Sequence, residues 1–295
     1  MVSVAEEILG DRVRSSESLD ADSLARAELV LALEERFGVR LADGSAYETL
    51  HEATEAVAEA LEGLDGAEPA PLDGGFGRLQ WAVETVLCRP LGWAYELRVH
   101  GRDNVPAFGP AVLASNHDSL LDIPFLVRAS PRPVWFMAKV ELFRNRLGSR
   151  LLHALGSFPV RRGGDDLRAV RAGLQVLRLG RVLGMYPEGT RAPHLQAFLP
   201  GAAWVALATG APLVPVAISG TADAMPRGSV LPRRTHVTVR FGEPMASWKE
   251  DCPGARLERA RGLTDDLRSE IERLLASPDP RRLRRAPGWA RGAGS

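Results

Sequence analysis

Cysteine is almost missing from this 295-residue chain: Cys88 and Cys252 stand far apart, in no C-x-x-C pair. That excludes a disulfide framework and a cysteine-built zinc site, and it suits a reducing cytosol. Lysine is scarce as well, since only Lys139 and Lys249 of the 37 basic residues are lysines, a bias of base composition rather than of chemistry. The chain has no G-x-x-x-x-G-K-[ST] loop for a nucleotide and no G-x-S-x-G elbow for a serine hydrolase. It also lacks a metal-ligand cluster and the basic–aromatic interleaving that reads as nucleic-acid binding. An unbroken apolar span is lacking too. The uncharged run from Ala192 to Ala222 is long enough to cross a bilayer, but Pro200, Gly201, Gly210, Pro212, Pro215 and Gly220 divide it. It reads instead as a short helix and then a buried strand. Glu6 and Glu7 precede any apolar run, so no secretory leader is visible and a cytoplasmic setting is expected.

What is present is ordinary for a globular protein: 45% hydrophobic and 25% charged residues. The length suits roughly two domains, at about 100–200 residues each. A net charge of zero hides a polarity. Residues 1–66 carry 16 acidic and 5 basic side chains, a balance of −11, so the remainder carries +11. An acidic module joined to a basic one suggests mutual docking, or a basic face for anionic lipid or phosphate.

The stretch Asp65 to Gly75 (DGAEPAPLDGG) has no apolar periodicity and reads as a linker. It joins a compact acidic helical segment, residues 1–64, to a longer second module, residues 76–276. Over that second module strand-like runs alternate with helices: LRVHG, AVLAS, VWFMA, LGMYP, LVPVAI and HVTVRF. This interleaving predicts an α/β domain. Residues 277–295, with Arg281, Arg282, Arg284 and Arg285 among Pro and Gly, read as a basic disordered tail.

In the first module, Leu24, Ala27, Val30, Leu31, Leu33 and Phe37 fall at helical spacing and leave Glu28, Glu34 and Glu35 mostly for solvent. Asp22 or Ser23 at the head of that run can serve as an ordinary helix cap. The longer stretch DSLARAELVLALEERF, with GVRL and EATEAVAEAL after it, resembles an acyl carrier protein. The resemblance implies an all-α domain with 4′-phosphopantetheine attached to Ser23 by a phosphopantetheinyl transferase. It also implies that Glu28, Glu34 and Glu35 are the charges that partners recognise.

In the second module, Ser115-Asn116-His117-Asp118-Ser119-Leu120-Leu121-Asp122 comes directly after the strand AVLAS. Five residues along an ideal helix separate two side chains by about 140°, so His117 and Asp122 meet only if His117 sits in the turn before the helix. A carboxylate bonded to one imidazole nitrogen fixes the tautomer and leaves the other nitrogen as a proton acceptor, as a general base requires. Of the six histidines only His117 has an Asp five residues on. Arginine pairs are apt for phosphate oxygens, and a glycine lets a backbone approach a ligand closely. Three further stretches come in order: GSFPVRRG (Gly156 to Gly163), YPEGTR (Tyr186 to Arg191) and LVPVAISGT (Leu213 to Thr221). Together with NHDSLLD they resemble the four motif blocks of the glycerolipid, or lysophosphatidic acid, acyltransferases.

That resemblance implies an α/β domain with a central mixed sheet flanked by helices. It implies acyl transfer from a thioester to a hydroxyl without a covalent enzyme intermediate, with His117 as base and Asp122 orienting it. Arg161, Arg162, Glu188, Gly189, Thr190 and Arg191 fall at acceptor-binding positions, and Pro215 in a structural block. The donor would be acyl-CoA or an acyl carrier protein thioester, the chain's own included. The acceptor would be a lysophospholipid such as 1-acylglycerol-3-phosphate. No metal and no nucleic acid are expected. Where the family commonly has a basic residue between a Phe and a Gly, this chain has Leu199-Pro200, which leaves room for a non-lipid alcohol or an amine in specialised metabolism. A non-catalytic lipid-binding scaffold is the alternative of a different class. The segment Phe76 to Tyr95, aromatic and weakly basic, reads either as a helix lying in a membrane's inner face or as one packed on the core.

Overall fold

The structure is a computed structural model that describes residues 30–31, 34, 41, 56, 83–160, 167–191, 194–225, 233, 235–245 and 253–277. Ser23, most of the carrier-like segment, the linker, Arg161, Arg162 and residues 278–295 lie outside them. Val30, Leu31, Glu34 and Ala56 are helical.

A seven-stranded sheet organises the second module. Its strands are β1 (Arg98–His100), β2 (Ala111–Ser115), β3 (Val134–Lys139), β4 (Ser157–Val160), β5 (Val182–Met185), β6 (Leu213–Ser219) and β7 (Thr238–Phe241). Their spatial order is β1-β7-β6-β2-β5-β3-β4. Among the described strands only the β6–β7 pair is antiparallel, so the sheet is mixed as expected. The runs read as strands supply every strand but β4. That strand is four residues long and contains Pro159, which is tolerated because β4 lies at the sheet edge, paired to β3 alone.

Every residue of β2 is buried, as the middle of a parallel sheet covered on both faces demands. Its alternating side chains serve two cores. Leu113 joins Phe125, Leu126, Phe136, Val216 and Val239 on one face. Val112 and Ala114 join Trp135, Leu177, Trp204, Leu207 and Ile271 on the other. The first face is covered by α2 (Asp122–Ala129), reinforced by a π-helical turn (Glu84–Cys88) leading into α1 (Arg89–Ala94). The second is covered by α4 (Leu167–Arg178), α5 (Gly201–Thr209) and α7 (Pro253–Ala276), while α3 (Arg146–Ala154) leads into β4. A short α6 (Thr221–Ala224) comes after β6.

Helix α2 stops at Ser130, whose extended backbone (φ −62°, ψ 141°) is what a following proline, Pro131, imposes. Helix α5 is apolar all round because it is sandwiched: Ala202 through Leu207 are all buried. Burying Trp204, Leu207 and their neighbours contributes about 1.5–3 kcal/mol per large side chain. The uncharged run around α5 and β6 is therefore a core helix and a core strand, as its prolines and glycines predict. No described helix is long and apolar enough to cross a membrane. Of the Phe76–Tyr95 segment, the described part packs on the core through Cys88 and Tyr95, whose ring meets Phe125 edge-on at 5.6 Å. The same part leaves Val86 76% and Trp93 81% exposed.

Candidate active site

The chain leaves β2 toward α2 on one face of the sheet and leaves β5, its neighbour, toward α5 on the opposite face. Two adjacent parallel strands whose connections diverge open a crevice at their carboxyl ends, the usual ligand position in such sheets. The NHDSLLD and YPEGTR stretches form the two walls of that crevice.

The first wall is anchored by Asn116. Its side-chain amide donates to the carbonyl of Ile218 at 2.9 Å and accepts from the Ile218 N–H at 2.8 Å, all of it buried. The turn after Asn116 is built around one oxygen of Asp122. Oδ2 accepts the N–H groups of Asp118 and Ser119, each at 2.9 Å, and lies 2.8 Å from Nδ1 of His117. Asp122 is the first residue of α2, so its charge also faces the positive end of the helix dipole. Asp122 is fully buried, and its three contacts all converge on Oδ2. With Nδ1–H donating to it, the imidazole keeps Nε2 as an acceptor. The His117 side chain retains 13% exposure, and Nε2 has no partner among the described residues.

The second wall supplies the floor and the brace. Tyr186 stacks on the His117 ring at 4.1 Å and 19°, with Phe136 parallel beyond it at 6.2 Å. Burial, and then the negative charge of Asp122, push the Tyr186 hydroxyl well above its usual range, so it stays protonated. Glu188 is buried, and each of its oxygens accepts one backbone N–H: Oε1 from His117 at 2.8 Å and Oε2 from Gln196 at 3.0 Å. Its carboxylate is thus turned to the backbone rather than to Arg191. Gly189 turns the chain with φ +66°, and a Cβ there would press to 3.2 Å from the Leu199 side chain. The loop is tied outward by Arg268 of α7, whose Nε donates to the Gln196 carbonyl at 3.2 Å.

Beside the dyad lies a second carboxyl. Asp118 is half-buried and accepts a long bond from Asn116 Nδ2 at 3.3 Å. Burial first, and the charge of Asp122 next, raise it from 3.8 to about 6, against the opposing pull of Asn116.

Of the site residues expected from sequence, His117, Asp122, Glu188 and Gly189 come together at one corner. Thr190 and Arg191 are placed on the outer part of the same loop. Arg161, Arg162 and Ser23 lie outside the described residues. Sequence reasoning passed over Tyr186, Asn116 and Asp118, although all three stand inside the motif stretches. No group of His, Cys, Asp and Glu suited to a metal ion occurs among the described residues.

Residues 96–219 match the family model named Acyltransferase. The 1-acyl-sn-glycerol-3-phosphate acyltransferase of Bacillus subtilis is 29% identical over 182 residues, 60% of this chain and 87% of that protein. A chloroplastic 1-acyl-sn-glycerol-3-phosphate acyltransferase of Arabidopsis thaliana is 30% identical over 177 residues, 57% of this chain but only 49% of its own length. The corresponding Streptococcus pneumoniae protein is 30% identical over 178 residues, 59% of this chain and 64% of its own. The crystal structure of the 1-acyl-sn-glycerophosphate (LPA) acyltransferase from Thermotoga maritima shares the fold, with a TM-score of 0.56 at 21% identity. That superposition covers 87% of this chain and 96% of the other.

Proposed function

We propose, from the premise that the chain is an acyltransferase, that it moves an acyl group from a thioester to the hydroxyl of a lysophospholipid such as 1-acylglycerol-3-phosphate. The observation that carries this reading is the His117–Asp122 pair, held at 2.8 Å with Nε2 left unengaged at the mouth of the crevice. Nε2 of His117 takes the proton of the acceptor hydroxyl as its oxygen attacks the thioester carbonyl. Asp122 stabilises the imidazolium that forms, and Tyr186 keeps the ring from tilting. Collapse of the tetrahedral adduct forms the ester and breaks the C–S bond. The departing thiolate recovers the proton from Nε2, so the enzyme returns to its starting state.

Ser23 lies outside the described residues, and the same chemistry serves a thioester whose thiol belongs to coenzyme A or to a carrier. Our reading of the first module assigns 4′-phosphopantetheine to Ser23 and makes the chain's own carrier the donor in cis. Arg191 and, by position in the second motif, Arg161 and Arg162 would hold an anionic acceptor. Val86 and Trp93 offer apolar contact with the membrane that supplies such an acceptor.

A second reading rests on the loop after β5. Leu199 is 60% exposed beside Gly189, where the family commonly has a cation nearby, and the Asp118 carboxyl adjoins the dyad. Both features favour a neutral alcohol or an amine over a phosphate. Purified full-length protein given a labelled acyl thioester separates the readings. The lysophospholipid reading expects 1-acylglycerol-3-phosphate to outcompete its dephosphorylated form. Preference for the uncharged alcohol, or for an amine, selects the second reading. Turnover of none of them would leave a lipid-binding scaffold. His117→Ala should lower transfer about 10²–10⁴-fold in a folded protein.

A further inference from the structure

Glu34 belongs to the acidic run that the sequence leaves mostly to solvent, yet its side chain is only 10% exposed. Both of its oxygens are taken by Arg171 of α4. Nε donates to Oε2 at 3.2 Å, and Nη2 donates to Oε1. The same Nη2 also donates to the Leu41 carbonyl at 3.0 Å, while the Leu41 N–H donates to Glu34 Oε1 at 2.7 Å. One guanidinium therefore closes the stretch between Glu34 and Leu41 from a position 137 residues away.

Apolar residues of the same segment are buried as well. Val30 is 1% and Leu41 5% exposed. Leu31 packs against the core that contains Trp135, Leu174 and Leu177. A desolvated ion pair is tolerated only where its geometry is good and its remaining donors and acceptors are used. A two-pronged arginine–carboxylate contact with a backbone bond on each partner meets that requirement.

We infer that Arg171 on α4 is the point at which the chain's own N-terminal segment docks on the acyltransferase domain, with Glu34 as its anchor. The occupant is already seated in the structure, and residues 1–66 and 67–295 carry opposite charges of 11 units. The docking rests on this contact alone. Its purpose, bringing a thioester on Ser23 to the domain in cis, rests on the proposed function. Glu34 then meets its partner within the same chain, and a free carrier protein would have to displace the segment to use α4.

The test uses the full chain and reads amide hydrogen exchange over residues 30–41. Arg171→Glu and Glu34→Arg should each speed exchange there at least about tenfold, and the double charge swap should restore most of the protection. Arg171→Gln, a milder change, serves where reversal disturbs folding, and retained activity with acyl-CoA checks the domain. Unchanged exchange in the single variants overturns the inference. So does protection that grows with chain concentration, because the segment would then be docking on a second copy. With Ser23 loaded with a labelled acyl group, single-turnover transfer should fall in the single variants and recover in the swap. Transfer that stays unchanged while exchange rises overturns delivery through this contact. A Ser23 that accepts no phosphopantetheine overturns the carrier reading instead, and the exchange result still decides the docking.

Discussion

The two walls of the crevice are held in different ways. The turn after β2 is held locally: one oxygen of Asp122 gathers two backbone N–H groups and the imidazole within five residues. The loop after β5 is tied to that turn at longer range through Glu188, which reaches across 71 residues to the His117 N–H. The first arrangement orients the His117 ring; the second fixes the backbone on which that ring is carried. Charge and position are thus assigned to different carboxylates, and substitutions should separate them.

The largest effect is expected at the locally built turn. Asp122→Asn keeps the side-chain shape but removes the charge and lets the wrong imidazole tautomer form. Turnover should fall about 10²–10⁴-fold, with thioester KM little changed. Steady-state kinetics on the folded variant check this, and turnover within about threefold of the parent would remove Asp122 from the mechanism. Glu188→Gln should come next. Its amide can accept one N–H but sets an N–H donor against the other, at a cost of about 1–3 kcal/mol in stability. Displacement of His117 should lower kcat roughly 10–100-fold, read together with urea denaturation.

Asp118→Asn gives a smaller, pH-dependent effect. In the folded protein this carboxyl is raised from 3.8 to about 6, so its charged form is disfavoured. The resulting penalty is absent below about pH 4, grows between pH 4 and 6, and is complete above pH 6. The variant should match the parent near pH 4 and exceed it at pH 7 by about 1 kcal/mol, the shift being discounted for the exposed part of the group. Equal stability at both pH values would contradict the raised titration. The smallest effect is expected for Arg268→Ala, because that contact is largely exposed: within about 0.5 kcal/mol in stability, with at most a few-fold loss of kcat.

The contrast between the walls also explains what the sequence made legible. The His117–Asp122 pair is a short-range pattern, and a strand that runs at once into a helix is the local geometry that lets the two meet. The strand runs were readable because buried parallel strands are short, β-branched and bounded by turn residues. β4 escaped because it is four residues long with a proline inside, a composition that suits a loop equally well. Tyr186 escaped for another reason: an aromatic before Pro-Glu carries no sign that it will stack on a histidine far back in the chain. Glu188 was read as a contact for the acceptor, whereas its oxygens face two backbone N–H groups that no spacing rule reveals. Glu34 was assigned to partners by its place in the acyl-carrier resemblance, and nothing near it in sequence announces Arg171.

The pairing of Asn116 with Ile218 bears on when the turn after β2 takes its final shape. An amide side chain that donates to the carbonyl of one residue and accepts from that residue's N–H does the work of another residue of strand, so β2 is continued by a side chain while its backbone turns away. The partner lies 102 residues downstream. At about 5–20 residues per second, a ribosome needs roughly 5–20 s after making Asn116 to supply it. Until Ile218 arrives, the nascent chain holds the His117–Asp122 turn without the anchor of Asn116 at its base. The turn is thereby completed late: a chain arrested before β6 carries His117 and Asp122 but not the strand that anchors Asn116.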